Sequence, residues 1–220
     1  MPSLKERSVF VREFCSHFKD IGSVTPSSRF LARSVTEPLR EFVEASPPIR
    51  VLEAGAGTGS ITREIVKRLR SGDRLVAYEI NERLARVIEK EVKPEAEQRG
   101  VELDVVCRPV QDVDRNERFE VIISGLPFAN FAPDVVDEIF NTFFDVVIPG
   151  GTISFYGYCG VRKIRKLLSG VEDQKRLERV EKTIDAYCRE NVHHRERVLL
   201  NIPPAWSRHI HVAAENGRAC

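Results

Sequence analysis

What is scarce in this 220-residue chain already removes several classes of protein. No uninterrupted apolar run approaches the ~20 residues that span a bilayer, so no transmembrane segment is expected. The five cysteines (Cys15, Cys107, Cys159, Cys188, Cys220) are odd in number and form no CxxC pair. That argues against a disulfide framework and a zinc site, and for reduced thiols in the cytoplasm. No basic surplus exists either: 34 Lys and Arg face 33 Asp and Glu, a net charge of +1. A dedicated nucleic-acid binder normally carries a strong positive excess, so RNA and DNA are disfavoured as partners. Lys5, Glu6, Arg7, Arg12 and Glu13 interrupt any apolar stretch at the start, so a secretory leader is not expected. Repeats and low-complexity tracts are lacking. What remains, 42% hydrophobic and 30% charged residues, is the balance of a soluble chain with one sizeable core.

The chain divides into three parts. Residues 1–49 read as a helical arm, in which Val9, Phe10, Phe14, Phe18 and Ile21 recur at helical spacing. Pro26 interrupts it, and Ser27 or Ser28 can cap a second helix through Phe30, Leu31, Val35 and Leu39, with Pro47-Pro48 closing the arm. Residues 50–214 alternate short apolar runs with amphipathic helices. Strands are predicted over Arg50–Ala54, Arg74–Ile80, Val101–Cys107, Glu120–Ser124 and Thr152–Tyr158, the last after Pro149-Gly150-Gly151. Helices are predicted over Ser60–Arg70, Glu82–Val92, Pro133–Val147 and Glu172–Glu190. Such alternation implies an α/β fold with a mostly parallel sheet covered on both faces. Two final strands, Arg195–Asn201 and Trp206–Val212, lie too close together for a parallel crossover and predict a terminal antiparallel hairpin on a seven-stranded sheet. Residues 215–220 are a tail.

The strongest chemical signal is Glu53-Ala54-Gly55-Ala56-Gly57-Thr58-Gly59, where a strand runs through glycines into a helix. Glycine permits a sharp turn and close approach of a ligand, and the helix start offers backbone donors. A dinucleotide fingerprint would require Gly or Ala where this chain has Ser60. The pattern E-x-G-x-G-x-G instead resembles motif I of class I S-adenosylmethionine-dependent methyltransferases, which have a Rossmann-like fold. Glu79, twenty-four residues after Gly55 and ahead of Ile80, ends the second strand, where a carboxylate accepts from ribose hydroxyls; otherwise it is a solvated acid opening the next helix. Gln111 and Asp112 follow the third strand, where a loop reaches an adenine edge; either can fill that role or merely coat the loop. Ser124-Gly125-Leu126-Pro127-Phe128 ends the fourth strand, where nitrogen methylases of this class often carry an N-P-P-Y-like motif that orients the amine. Ser in place of the amide side chain weakens the case for a nucleobase and suits a small aliphatic amine.

Gly22–Arg33 (G-S-V-T-P-S-S-R-F-L-A-R), the glycine motif, Ser124–Phe128 and Asn201-Ile202-Pro203-Pro204-Ala205 occur in an order similar to that of bacterial phospholipid N-methyltransferases, over about Phe18 to His211. The resemblance implies successive methyl transfers from S-adenosylmethionine to the amine of phosphatidylethanolamine, with S-adenosylhomocysteine as product. It implies a cofactor site at Glu53, Gly55, Ala56, Gly57, Gly59, Glu79, Ile80, Gln111, Asp112 and Ser124. It also implies that the arm docks on a membrane. The adenine dimethyltransferases of ribosomal RNA share the general layout, and an ornithine lipid would satisfy nearly every argument for a lipid amine.

The arm's stripe, flanked by Lys5, Arg7, Arg12 and Lys19, suits an anionic lipid surface or a lid over the site. Arg162, Lys163, Arg165 and Lys166 form a second basic run, on a phosphate-facing or merely solvated helix. No histidine has a metal-binding neighbourhood, so no metal is expected. His193, His194, His209 and His211 read as structural or surface residues. Methyl transfer to an amine needs alignment and no covalent nucleophile. Ser124, Gly125 and Leu126 are the candidates for orienting the amine, and Tyr156, Tyr158 and His17 for taking its proton. The expected location is the cytoplasm, peripheral to the inner face of the membrane; nothing in the sequence sets an oligomeric state.

Overall fold

The computed structural model describes residues 28–45, 48–158, 171–201 and 204–214. His17, the apolar stripe, the basic run at 162–166 and the tail lie outside the described residues.

Seven strands form one sheet: β1 (Arg50–Ala54), β2 (Arg74–Tyr78), β3 (Glu102–Val106), β4 (Phe119–Ser124), β5 (Val147–Tyr158), β6 (Val192–Val198) and β7 (Ala205–His211). Their order is β3-β2-β1-β4-β5-β7-β6. The first five run parallel, and β7 lies antiparallel to both β5 and β6. This is the expected mostly parallel Rossmann-like sheet with its terminal hairpin.

The sheet is buried on both faces because its strands alternate between two cores. Leu52 and Ala54 of β1 join Phe140, Phe143, Val180 and Ile184 from α6 (Pro133–Val146) and α7 (Val171–Glu190). Val51 joins the opposite core with Val35, Leu39, Ile65, Ile88 and Ala96. That side is covered by α1 (Arg29–Val35), α2 (Leu39–Ala45), α3 (Ser60–Arg68), α4 (Glu82–Glu91) and α5 (Lys93–Gln98). Fully buried Phe119, Phe140, Phe143 and Phe155 dominate by volume, and burying one such ring contributes roughly 1.5–3 kcal/mol.

Three local expectations change. The single helix through Leu39 is two, because the chain turns at Thr36–Pro38 and proline restricts the residue before it. Ser28 does cap α1, accepting from Leu31 N–H at 3.3 Å. A short helix, α5, follows α4 with a proline in its first turn, where a missing N–H costs nothing. β5 begins at Val147, and its register against β4 jumps from Phe119↔Val147 to Val121↔Thr152. Pro149-Gly150-Gly151 is thus accommodated as an irregularity inside the strand.

A buried polar cluster ties α1 to the C-terminal strands. Ser34 donates to Glu196 Oε2 at 2.7 Å and lies 2.7 Å from the Ser207 hydroxyl, so Ser207 supplies that proton. Ser154 donates to Val35 O at 2.5 Å and lies 2.9 Å from His209 Nδ1. With Ser154's one proton spent, His209 must carry its own on Nδ1, a tautomer assigned from the network. Burial, then the neighbouring His194 and His211, lower the His209 pKa to about 4. The unfolded chain therefore binds a proton that the folded state refuses between pH ~6.5 and about 4. Stability conferred by neutral His209 is present above that window and is lost as pH falls through it. Urea unfolding at pH 7 and pH 5 should show a drop on acidification that is smaller in His209→Asn.

Candidate active site

The register of the parallel strands builds the site. Ala54 pairs with Tyr78 on one side and Ser124 on the other, so β1, β2 and β4 end level. The next residues, Gly55, Glu79 and Gly125, leave the sheet together at the carboxyl edge, where open α/β sheets bind ligands. Gly55 and Ala56 N–H groups both donate to Tyr78 O, at 2.8 and 3.1 Å, and Gly125 N–H donates to Ala54 O at 2.8 Å.

Packing requires one glycine here, and backbone conformation favours another. A Cβ on Gly125 would stand 2.6 Å from Gly55 O, so the loops after β1 and β4 touch backbone to backbone. Gly57 has φ +56°, and among the described residues nothing lies within 4 Å of where its Cβ would be. The space above it is open, an approach for a ligand free of side-chain obstruction.

Two acids lie at the glycine loop, Glu79 bonded to Gly57 and Glu53 two residues before Gly55, and their environments differ. Glu79 is buried, with Oε2 accepting from Gly57 N–H at 2.7 Å and Oε1 from Asn81 N–H at 2.8 Å. Burial raises its pKa, and these backbone donors offset part of the rise. Its remaining lone pairs can accept further protons from a ligand. Glu53 is fully buried on the Val51 face of β1, and among the described residues neither carboxyl oxygen has a hydrogen-bond partner. Burial pushes its pKa to about 8; adjacent Thr62 lowers it somewhat, and the Glu79 charge raises it further. The Thr62 hydroxyl is itself buried without a hydrogen bond, so the two groups are neighbours rather than a closed pair. A carboxyl held neutral by burial ionises readily only beside a cation, so Glu53 suits a ligand that presents an ammonium group.

The other sequence candidates occupy the same edge. Ile80 directly follows Glu79. Gln111 and Asp112 form a 3-10 turn after β3, with Gln111 half-buried and Asp112 exposed. The Asp112 charge acts on Tyr78, at the tip of β2, which places it near the loops just described. Ser124 is fully buried, and its hydroxyl accepts from Leu126 N–H at 3.3 Å. Its side chain therefore shapes the loop from beneath. Tyr156 donates to Gly125 O at 3.4 Å and sets its ring edge-on to Tyr158, 5.7 Å between centroids. Burial, followed by the adjoining Tyr156, raises the Tyr158 pKa, so Tyr158 is a proton donor at neutral pH.

Two features were missed by sequence reasoning. Phe128, the aromatic of the Ser124–Phe128 motif, is buried among Phe140 and Phe155, with centroids 5.2 and 5.7 Å away. Arg176 of α7 donates to Phe131 O at 2.6 Å and Ala129 O at 3.1 Å while pairing with Asp173 at 2.6 Å. It fixes the segment after the motif; nothing in the local sequence of a long charged helix singles it out.

Because the folded Glu53 pKa is raised, its contribution to stability is fully present below ~4.5 and disappears as pH climbs through about 8. Glu53→Gln should raise the melting temperature of the ligand-free protein at pH 8. That advantage should shrink by pH 5, in thermal melts across this range.

Residues 51–151 match the model of a methyltransferase domain family. An ornithine lipid N-methyltransferase of Singulisphaera acidiphila is 29% identical over 157 residues, covering 69% of this chain and 77% of that protein. An rRNA methyltransferase of Streptomyces thermotolerans is 31% identical over 109 residues, half of this chain but only 33% of that protein. An O-methyltransferase of Bacillus cereus, solved in complex with SAH, superposes with a TM-score of 0.60 at 14% identity, covering 96% of this chain and 92% of that one. At that identity the likeness speaks for the fold. The matched segment contains the glycine loop, both buried acids and the Ser124 loop. The chain is thus an S-adenosylmethionine-dependent methyltransferase whose residues 51–151 resemble a methyltransferase domain.

Proposed function

We propose that this enzyme methylates the amine of a membrane-lipid headgroup, phosphatidylethanolamine and its methylated intermediates before others. The observation that carries the reading is the contact between Gly55 and Gly125. It sets the loop that would orient an acceptor directly against the loop that would hold the donor. S-adenosylmethionine, when bound, supplies a methyl group on a positively charged sulfur. Glu53 and the open face of Gly57 suit its ammonium-bearing end, with Gly55, Ala56 and Gly59 shaping the loop. Glu79 suits the ribose, and Ile80, Gln111 and Asp112 the adenine.

The chain's own part is alignment and exclusion of competing geometries. Ser124 holds the Leu126 amide, and Tyr156 holds Gly125 O, so the carbonyls of this loop are fixed where an amine lone pair needs direction. An ammonium headgroup must first lose a proton. Tyr156, Tyr158 and His17 are the candidates for taking it, and solvent can also remove it before docking. Phe128 is packed into the core, so the motif offers no ring for stacking on a flipped base. That favours an aliphatic amine over the adenine of an RNA. A peripheral position at the cytoplasmic face of the membrane follows from such a substrate.

The 29% identical relative favours a second reading, an ornithine lipid as acceptor. One experiment separates the possibilities: methyl-labelled S-adenosylmethionine with vesicles of phosphatidylethanolamine, vesicles containing an ornithine lipid, or ribosomal RNA. Label is expected in phosphatidylethanolamine; label in RNA alone, or in none, overturns the proposal. Glu79→Ala should weaken cofactor binding by roughly tenfold or more in calorimetry, as loss of hydrogen bonds to a charged group does. Ser124→Ala should lower turnover severalfold while cofactor affinity is retained, which steady-state kinetics and calorimetry together would check.

A further inference from the structure

The β6–β7 hairpin ends in the two large hydrophobic side chains that the described residues leave in solvent. Leu199 and Leu200 are 71% and 68% exposed and adjacent in sequence. An isolated exposed leucine is ordinary, but a pair at the tip of a turn concentrates the cost of wetting apolar surface. The turn itself is well anchored. Val198 and Asn201 at its ends are buried, and Asn201 N–H donates to Val198 O at 3.4 Å. Asn201 Oδ1 accepts from Ser28 N–H at 3.3 Å, which fixes the tip to the start of α1.

Register places this tip at the active-site edge. Tyr158, the last residue of β5, pairs with Ala205, which in turn pairs with Val198. The leucines therefore project beyond the same end of the sheet as the Gly55, Glu79 and Gly125 loops. Charge is lopsided there. α1 and residues 192–211 contain Arg29, Arg33, Arg195, Arg197 and Arg208 against a single acid, Glu196. Glu196 is engaged by Ser34, Arg33 by Glu64 and Arg208 by Asp185. Arg29, Arg195 and Arg197 are exposed and pair with no carboxylate among the described residues, although Arg195 lies over the Trp206 ring.

We propose that Leu199 and Leu200 insert into the headgroup–acyl boundary of an anionic bilayer while Arg29, Arg195 and Arg197 engage lipid phosphates. The tip thereby turns the carboxyl edge of the sheet toward the membrane. Exposed leucines joined to a strand and a helix whose arginines pair with no carboxylate among the described residues match such a surface on both counts. RNA phosphate would satisfy the cations and leave the leucines in water. A second copy docked on a twofold axis would cover the leucines but set this cationic patch against itself. The inference rests on the lipid reading of the function, because it gives that substrate a route to the site without leaving the bilayer.

The test uses the full chain and the double variant Leu199→Ser/Leu200→Ser. Binding is measured by cosedimentation with vesicles of phosphatidylcholine alone and of phosphatidylcholine mixed with phosphatidylglycerol. The parent should bind the anionic vesicles preferentially, and the variant should bind them roughly tenfold or more weakly. Its melting temperature and cofactor affinity should be unchanged. Arg197→Glu should weaken anionic binding and leave its thermal stability intact. Equal vesicle binding by parent and leucine variant overturns the proposal. So does a lower melting temperature in the leucine variant, or conversion of a dimer to a monomer in sedimentation, since either shows that protein covers the leucines. Loss of vesicle binding without lipid methylation by the parent would retain the docking surface and reject the lipid-amine activity instead.

Discussion

Three parallel strands that stop at one level are the constraint from which this molecule's chemistry follows. With Ala54 flanked by Tyr78 and Ser124, the chain has to leave β1, β2 and β4 side by side. A one-residue slip in any pairing would carry Glu79 or Gly125 away from Gly55 and send alternate side chains to the wrong core. The two hydrophobic layers enforce the register, since each strand residue has an apolar face to satisfy. The site is therefore a by-product of core packing, and its loops inherit their positions from buried Val, Leu, Ile and Phe.

The acids illustrate how position alone separates similar groups. Both lie at the carboxyl edge of the sheet, yet among the described residues Glu79 finds two backbone donors while Glu53 finds none. The first is held in a fixed orientation. The second bears a desolvation cost that a cationic ligand group would relieve. His209 carries the opposite burden at the other side of neutrality, so acid and alkali strain different parts of the molecule.

Much of this was legible in the chain. Short apolar runs between amphipathic helices revealed the strands, and the brief link between the last two revealed the antiparallel end, because parallel strands cannot be joined by a few residues. The glycine motif and Glu79 stood out because each directly follows or ends a predicted strand, at the edge where open α/β sheets bind ligands. Less local facts were hidden. Pro38 divided a helix whose apolar spacing looked continuous, and α5 was lost in a charged stretch without a clear stripe. The burial of Phe128 depends on Phe140 and Phe155, which are remote along the chain. Likewise, Ser124 looks like a substrate-facing hydroxyl until the fold turns it under its own loop. Arg176 and the Ser28–Asn201 bond join segments 45 and 173 residues apart, distances at which no pattern reports a partner.

The clasp between α1 and the final hairpin bears on how the chain matures during synthesis. Ser28 and Ser34 find their partners 173 residues later, in Asn201 and Ser207. The first described helix leaves the ribosome long before the strands against which it packs exist. The intervening sheet can begin to assemble while α1 waits, and closing so long a loop is entropically slow. Translation must pass Ser207 before that helix reaches its berth, so the edge beside Tyr156 and Tyr158 closes only after all five parallel strands have emerged.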